Sequence, residues 1–200
     1  MKVKVWFALT LLVVCTCAFA ADEPKKQEMS AAEKAQMEAW MKYATPSEGH
    51  KALDGMIGTF DAKITMWAGP GAPAQNSTGT STNEWILGGR YVQEKFEGSF
   101  MGMPFSGMGL TGYDNAKKQY FGTWVDSMGT GLMTSNGTGN GDGKSYTFKT
   151  LMTDPMTGKD VAGEEKVTVL DKEHHMFEMW GPSPDGKMMK TMEITYTRKK

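Results

Sequence analysis

Gly58-Thr59-Phe60-Asp61-Ala62-Lys63-Ile64-Thr65-Met66 decides the fold class. Phe60, Ala62, Ile64 and Met66 alternate with Asp61, Lys63 and Thr65, the two-residue period of a strand with one apolar face. The period returns downstream, where Val92 and Phe96 alternate with Tyr91, Gln93 and Lys95, and where Tyr146, Phe148 and Met152, then Val167 and Val169, keep one parity. Clusters of Gly, Pro, Asn and Asp interrupt it about every 10 to 14 residues. The pattern predicts ten strands, near 59–68, 77–87, 89–98, 105–114, 118–126, 128–136, 144–153, 160–170, 173–181 and 187–198. No helix-length pattern separates them, which excludes the crossovers that parallel pairing needs. Ten consecutive antiparallel strands would leave two exposed edges in an open sheet, so a mainly β, up-and-down closed barrel over 55–200 is expected.

Upstream, the period is helical. Ser30-Ala31-Ala32-Glu33 is a capping box, in which hydroxyl and carboxylate satisfy the first free N–H groups of a helix. A helix over about 31–44 follows, with Met37, Trp40, Met41 and Ala44 on one apolar stripe that needs a partner. Pro46 ends it, and a second short helix over 47–53 completes an N-terminal helical lead-in, residues 30–54. Residues 21–29 read as a flexible leader. Residues 1–20 have the logic of a signal peptide: Lys2 and Lys4, an apolar run Val5 to Val14, and Ala18-Phe19-Ala20 as the cleavage signal. Export to the periplasm or exterior is expected, with cleavage after Ala20. That cleavage removes both cysteines, Cys15 and Cys17, and with them any disulfide, thiolate nucleophile or Cys-based zinc site. Thr16 and Cys15 before Cys17 fit a lipidation signal poorly. Asn76-Ser77-Thr78 and Asn136-Gly137-Thr138 match the glycosylation triplet, in turn-rich contexts.

A net charge of −1 over 200 residues offers no basic field for nucleic acid. The apolar run near the N-terminus is too short to span a bilayer, and no later run approaches the ~20 residues required. The 24 glycines punctuate the strands as turns; the 18 methionines need another account.

Several stretches carry a family likeness: His50-Lys51-Ala52-Leu53 through Gly58-Thr59-Phe60, Gly69-Pro70-Gly71-Ala72-Pro73, Ile86-Leu87-Gly88-Gly89-Arg90-Tyr91, Pro104-Phe105-Ser106-Gly107, Gly112-Tyr113-Asp114, Trp124-Val125-Asp126-Ser127-Met128-Gly129-Thr130, Asp154-Pro155-Met156-Thr157-Gly158-Lys159 and Met192-Glu193-Ile194-Thr195-Tyr196. In this order, over 50–197, the chain resembles the bacterial family called domain of unknown function 1579, whose members are similar to calycin barrels such as nitrobindin and the lipocalins. The likeness implies a calycin-like barrel and no established activity. Where calycins usually begin the first strand with Gly-x-Trp, this chain has Phe60 in the Trp place.

The nitrobindin likeness implies haem held by a lumen histidine. Here the histidines are His50, read as a helix residue bonded to nearby backbone, and His174 and His175, read as exposed at a hairpin tip, so no cofactor is expected. The chain has no Gly-x-Ser-x-Gly elbow and no His-Glu-x-x-His, and the glycines of 137–143 precede no helix that could make a phosphate loop. No catalytic residue is assigned and an enzyme is not the expected class. Alternation puts Arg90 and Glu94 on the lumen face with Val92 and Phe96, Trp124 with Asp126, and Glu178 with Met176 and Trp180. Arg90, Trp124, Asp126, Glu178 and Trp180 are therefore the expected contacts of a small apolar or amphipathic ligand, with Arg90 orienting any anionic group. Two rival readings stand beside it. An envelope interaction module would have its barrel filled by side chains. A Cu(I) or Ag(I) protein would use soft thioethers, with Met101, Met103, Met176 and Met179 as candidate ligands. Against metal, Leu53, Leu87, Leu110, Leu132, Leu151 and Leu170 are the only leucines after residue 20, so methionine reads first as a replacement for leucine in the core.

Overall fold

The computed structural model describes residues 28–183 and 185–200. The expected signal peptide, both cysteines and the leader up to residue 27 lie outside the described residues. An α-helix, α1 (Ala31–Ala44), is followed by a single turn, α2 (Glu48–Lys51), a 3-10 turn (Ala52–Met56) and ten strands. The strands are β1 (Gly58–Met66), β2 (Gln75–Ile86), β3 (Tyr91–Phe100), β4 (Met103–Asp114), β5 (Gln119–Asp126), β6 (Met133–Gly139), β7 (Ser145–Thr153), β8 (Asp160–Val169), β9 (His174–Pro182) and β10 (Met188–Arg198). Each strand pairs antiparallel with the next, and β10 returns to β1, closing the barrel. Closure is by full register, from Phe60 opposite Arg198 to Met66 opposite Met192.

Two strand positions depart from the sequence expectation, each for a local reason. β6 begins at Met133 rather than near 128, because Asp126 accepts the Met128 N–H (2.9 Å) and Ser127 N–H donates to Ser106 O (2.8 Å), folding the segment after β5 into a loop. β3 begins after Arg90, because Leu87, Gly88 and Gly89 all have positive φ (49°, 68° and 79°) and make the β2–β3 turn. Two glycines carry that conformation without strain where side-chain-bearing residues would resist it.

The helical lead-in divides into a part that packs and a part that does not. Ser30 and Glu33 form the expected capping box, and α1 starts and stops where the sequence places it. Among the described residues its apolar stripe finds no partner: no residue of α1 is buried, and Trp40 is 62% exposed. The helix is tied to the barrel at its C-terminal end by Asn115, whose amide donates to Tyr43 O (2.9 Å) and Thr45 O (2.8 Å). A periodic stripe shows which side of a helix could be buried, but only a tertiary contact buries it.

From His50 onward the lead-in closes one end of the barrel. Leu53 is fully buried among Val92, Tyr120, Tyr146 and Phe148. Tyr146 donates to Ala52 O (2.5 Å), Asn83 to Met56 O (2.8 Å), and Arg198 to Ile57 O (2.6 Å). These bonds satisfy carbonyls that a short turn leaves unpaired. Outward positions such as Asp61, Lys63, Lys95, Lys149 and Lys166 are exposed and charged, the reverse of the apolar outer band of a bilayer-spanning barrel. Among the described residues no helix is long and apolar enough to cross a membrane.

Candidate functional site in the barrel lumen

Inward side chains are set by strand alternation and fixed by register. Phe60, Ala62, Ile64 and Met66 of β1 face in, opposite Tyr196, Ile194 and Met192 of β10, and Phe96 joins the same buried cluster from β3. Burial declines along the axis. Next to the helical end Phe60 is 1% exposed, and Tyr146, Phe148 and Thr150 are buried; at the far end Met66 and Met192 are half-buried, Met152 is 44% exposed and Met103 47%. The barrel is thus sealed at its helical end, its floor, while inward side chains are more exposed at the other end, its mouth.

Between them lies a layer of buried polar groups. Ser81 donates to the Glu94 carboxyl (2.7 Å) and lies 3.0 Å from Asn83 Oδ1. Ser135, Thr150, Glu165 and His175 are buried with them. Burial pushes the Glu94 carboxyl above its ordinary range, against the pull of hydrogen bonds from Ser81 and Tyr196. Burial likewise raises Glu165 to about 7; the Ser135 hydroxyl opposes this and the nearby Glu94 charge reinforces it. The Tyr196 phenol is raised well above its usual value by burial and by the Glu94 charge beside it. His175 stacks on Tyr196 (ring centroids 4.3 Å) and meets Phe60 edge-on (4.6 Å), and burial, then Arg198, lowers it to about 4. The layer is a set of hydrogen-bonding groups whose charged forms burial disfavours.

The expected site residues divide between inside and outside. Trp124 and Asp126 face the lumen as predicted: the indole donates to Asp126 Oδ2 (2.9 Å) and its ring lies across Gly107 and Gly109, where a Cβ at 107 would collide with it. Glu94 also points in. Arg90 does not; it sits exposed in the β2–β3 turn and donates to Leu87 O (3.0 Å), so alternation could not be extended to it. Glu178 and Trp180 lie on the outer face. There Lys190 bonds Glu178 (2.5 Å) and Glu193 (2.7 Å) and stands over the Trp180 ring, beside a shallow groove of about 430 Å³ that Thr147, Glu164 and Lys166 also line.

The correction on β9 follows from register. His175, Phe177 and Met179 lie opposite Tyr196, Ile194 and Met192, so the inward parity is odd, and Met176 faces out. Met101 is an exposed turn residue, so Met101, Met103, Met176 and Met179 do not form one cluster. His175, expected at an exposed hairpin tip, is buried; His174 stays at the tip and pairs with Asp171 (2.9 Å). His50 is buried in the floor and accepts the Ser47 N–H (3.0 Å), as a local backbone role requires. Glu165 and Tyr196 are lumen residues outside the expected set, and the signal for Glu165 is that it continues the parity of Val167 and Val169.

Solved structures with this architecture include Rv2717c from M. tuberculosis, at 11% identity and a TM-score of 0.60 over 78% of this chain and all of that one. The S-type phycobiliprotein lyase CPES from Guillardia theta is similar at 12% identity and a TM-score of 0.53, over 80% of this chain and 97% of that one. At such identities the likeness is one of fold. No curated protein matches the sequence. The family profile described as protein of unknown function (DUF1579) matches residues 45–198, the floor-forming turns and all ten strands, and the chain belongs to that family.

Proposed function

We propose that the protein is exported by its first twenty residues and binds a small amphipathic molecule in the barrel. The observation that carries this reading is the gradient of burial: apolar inward side chains become accessible toward one end, above a buried hydrogen-bonding layer. A ligand entering there would lay its apolar body against Phe105, Trp124 and the mouth methionines, whose flexible side chains conform to varied shapes. Its polar end would reach Glu94 and Glu165. Two carboxyls and no lumen-facing Arg90 favour a hydrogen-bond donor or cation at that end over an anion.

The test is binding of the neutral fluorescent probe N-phenyl-1-naphthylamine to protein purified without detergent, with native mass spectrometry of envelope-extracted protein. Probe binding is expected to weaken about tenfold in Trp124→Ala, a loss on the order of 1.4 kcal/mol, and to be unchanged in Arg90→Ala and Trp180→Ala. Equal losses in all three, or a wild-type protein that binds neither probe nor a co-purifying molecule, would leave a filled interaction module as the better reading. The mass of the exported chain is expected to correspond to a start at Ala21.

A further inference from the structure

We propose that Met66, Met179 and Met192 form a binding site for a monovalent soft metal ion, Cu(I) or Ag(I), at the mouth of the barrel. The three stand directly opposite one another on adjacent strands: Met66 of β1 pairs with Met192 of β10, which pairs with Met179 of β9. All three share the inward face, because the next row down is Ile64, Ile194 and Phe177, which pack in the core. Laterally paired residues on one sheet face have Cβ atoms about 5 Å apart, and each methionine carries its sulfur on a flexible, unbranched arm. Three thioethers can therefore converge on one ion. Thioether sulfur is soft and uncharged and selects Cu(I) over hard divalent ions, which prefer oxygen.

The choice of residue changes within a single pair of strands. Between β1 and β10 the inward pairs run from Ala62 with Tyr196, to Ile64 with Ile194, to Met66 with Met192. Alanine, isoleucine and tyrosine fill the core rows, and sulfur appears only where the row reaches half-buried positions. A β-bulge fixes the geometry. Thr191 interrupts the pairing between Lys190 and Met192; its hydroxyl donates to Met179 O (3.2 Å) and its carbonyl accepts the Trp67 N–H (3.0 Å). Bulges of this kind commonly re-aim side chains beside functional sites. The thioethers involved are not the expected set, of which only Met179 belongs to the row. The inference is independent of organic ligand binding and can fail while probe binding stands.

The decisive measurement is titration of the purified full chain carrying Cys15→Ser and Cys17→Ser, so that no thiolate competes, with Ag(I), and with Cu(I) under anaerobic conditions, in competition with bicinchoninate. One equivalent is expected to bind below micromolar, and X-ray absorption of the Cu(I) form is expected to show a sulfur-only shell. The volume-conserving triple variant Met66→Leu, Met179→Leu, Met192→Leu should lose at least 100-fold in affinity with unchanged circular dichroism. Met192→Leu alone, at the centre of the row, should lose about tenfold and serves if the triple variant does not fold. Met156→Leu, at a site 90% exposed, and Met101→Leu, in the exposed β3–β4 turn, should bind as wild type. A wild-type protein that cannot compete with bicinchoninate, or Met192 and triple variants that retain affinity, overturns the proposal.

Discussion

Phe60→Ala is expected to destabilise the fold by about 3–5 kcal/mol, and Met66→Ala, six residues along the same strand and facing the same lumen, by about 1 kcal/mol. Phe60 sits where the barrel is sealed. Its ring meets His175 and Tyr196 edge-on at 4.6 and 6.3 Å, and the Arg198 guanidinium lies 4.5 Å from its centroid. Truncation would leave a void walled by β1, β10 and the 3-10 turn, and the guanidinium, tied to Ile57 O and Lys172 O, could not move in to fill it. Met66 is half-buried at the mouth, where water can take the place of a lost side chain. Urea unfolding of the two variants checks both values, and similar costs at the two sites would contradict a lumen open at one end.

The same gradient separates what the sequence revealed from what it concealed. The barrel was legible because β1 alternates cleanly and because Gly and Asn-rich turns recur at strand-length spacing. Glu94 was legible for the same reason, since Val92 and Phe96 alternate with Gln93 and Lys95, whereas on β5 only the shared parity of Trp124 and Asp126 pointed inward, because Phe121 and Val125 on the other face are apolar too. β9 was not. Met176 and Trp180 on one face are as apolar as Phe177 and Met179 on the other, so periodicity could not choose, and the choice lay in the long-range pairing of His175 with Tyr196. Arg90 escapes the parity of β3 because the positive-φ residues of the preceding turn break it. The α1 stripe was real as a pattern, but burial is a property of a contact, and α1 meets the barrel through Asn115 at its C-terminal end. The polar layer was hidden in a different way: Ser81, Ser135, Glu165 and Tyr196 come from four strands, and only closure brings them together.

Glu165→Gln is expected to leave stability at pH 4.5 nearly unchanged and to raise it at pH 8 by about 3 kcal/mol. Glu165 is buried with a pKa of about 7 in the folded chain, against an ordinary 4.5. Below pH 4.5 both folded and unfolded chains hold the proton, and the carboxyl contributes no penalty. As pH rises from 4.5 to 7 the unfolded chain gives up its proton first, so the folded state loses stability progressively. Above 7 the loss is complete, because the folded protein then carries a charge that its surroundings oppose. His175 works in the opposite sense. Lowered from 6.5 to about 4, it weakens the fold as pH falls through that interval, since the unfolded chain binds the proton first. Between pH 4.5 and 6.5 the Glu165 and His175 slopes therefore oppose each other. Glu94, also raised by burial, and His50, also lowered by burial, contribute slopes common to both proteins. The Glu165 contribution is therefore read from the difference between variant and wild type, which should grow from pH 4.5 to 7 and hold at pH 8, while the variant's amide oxygen still accepts the bond from Ser135. Urea midpoints of both proteins at pH 4.5, 6.5 and 8 provide the check. A difference between variant and wild type that does not grow with pH would mean that Glu165 is ionised in the folded barrel at neutrality, and that the lumen layer carries a fixed negative charge.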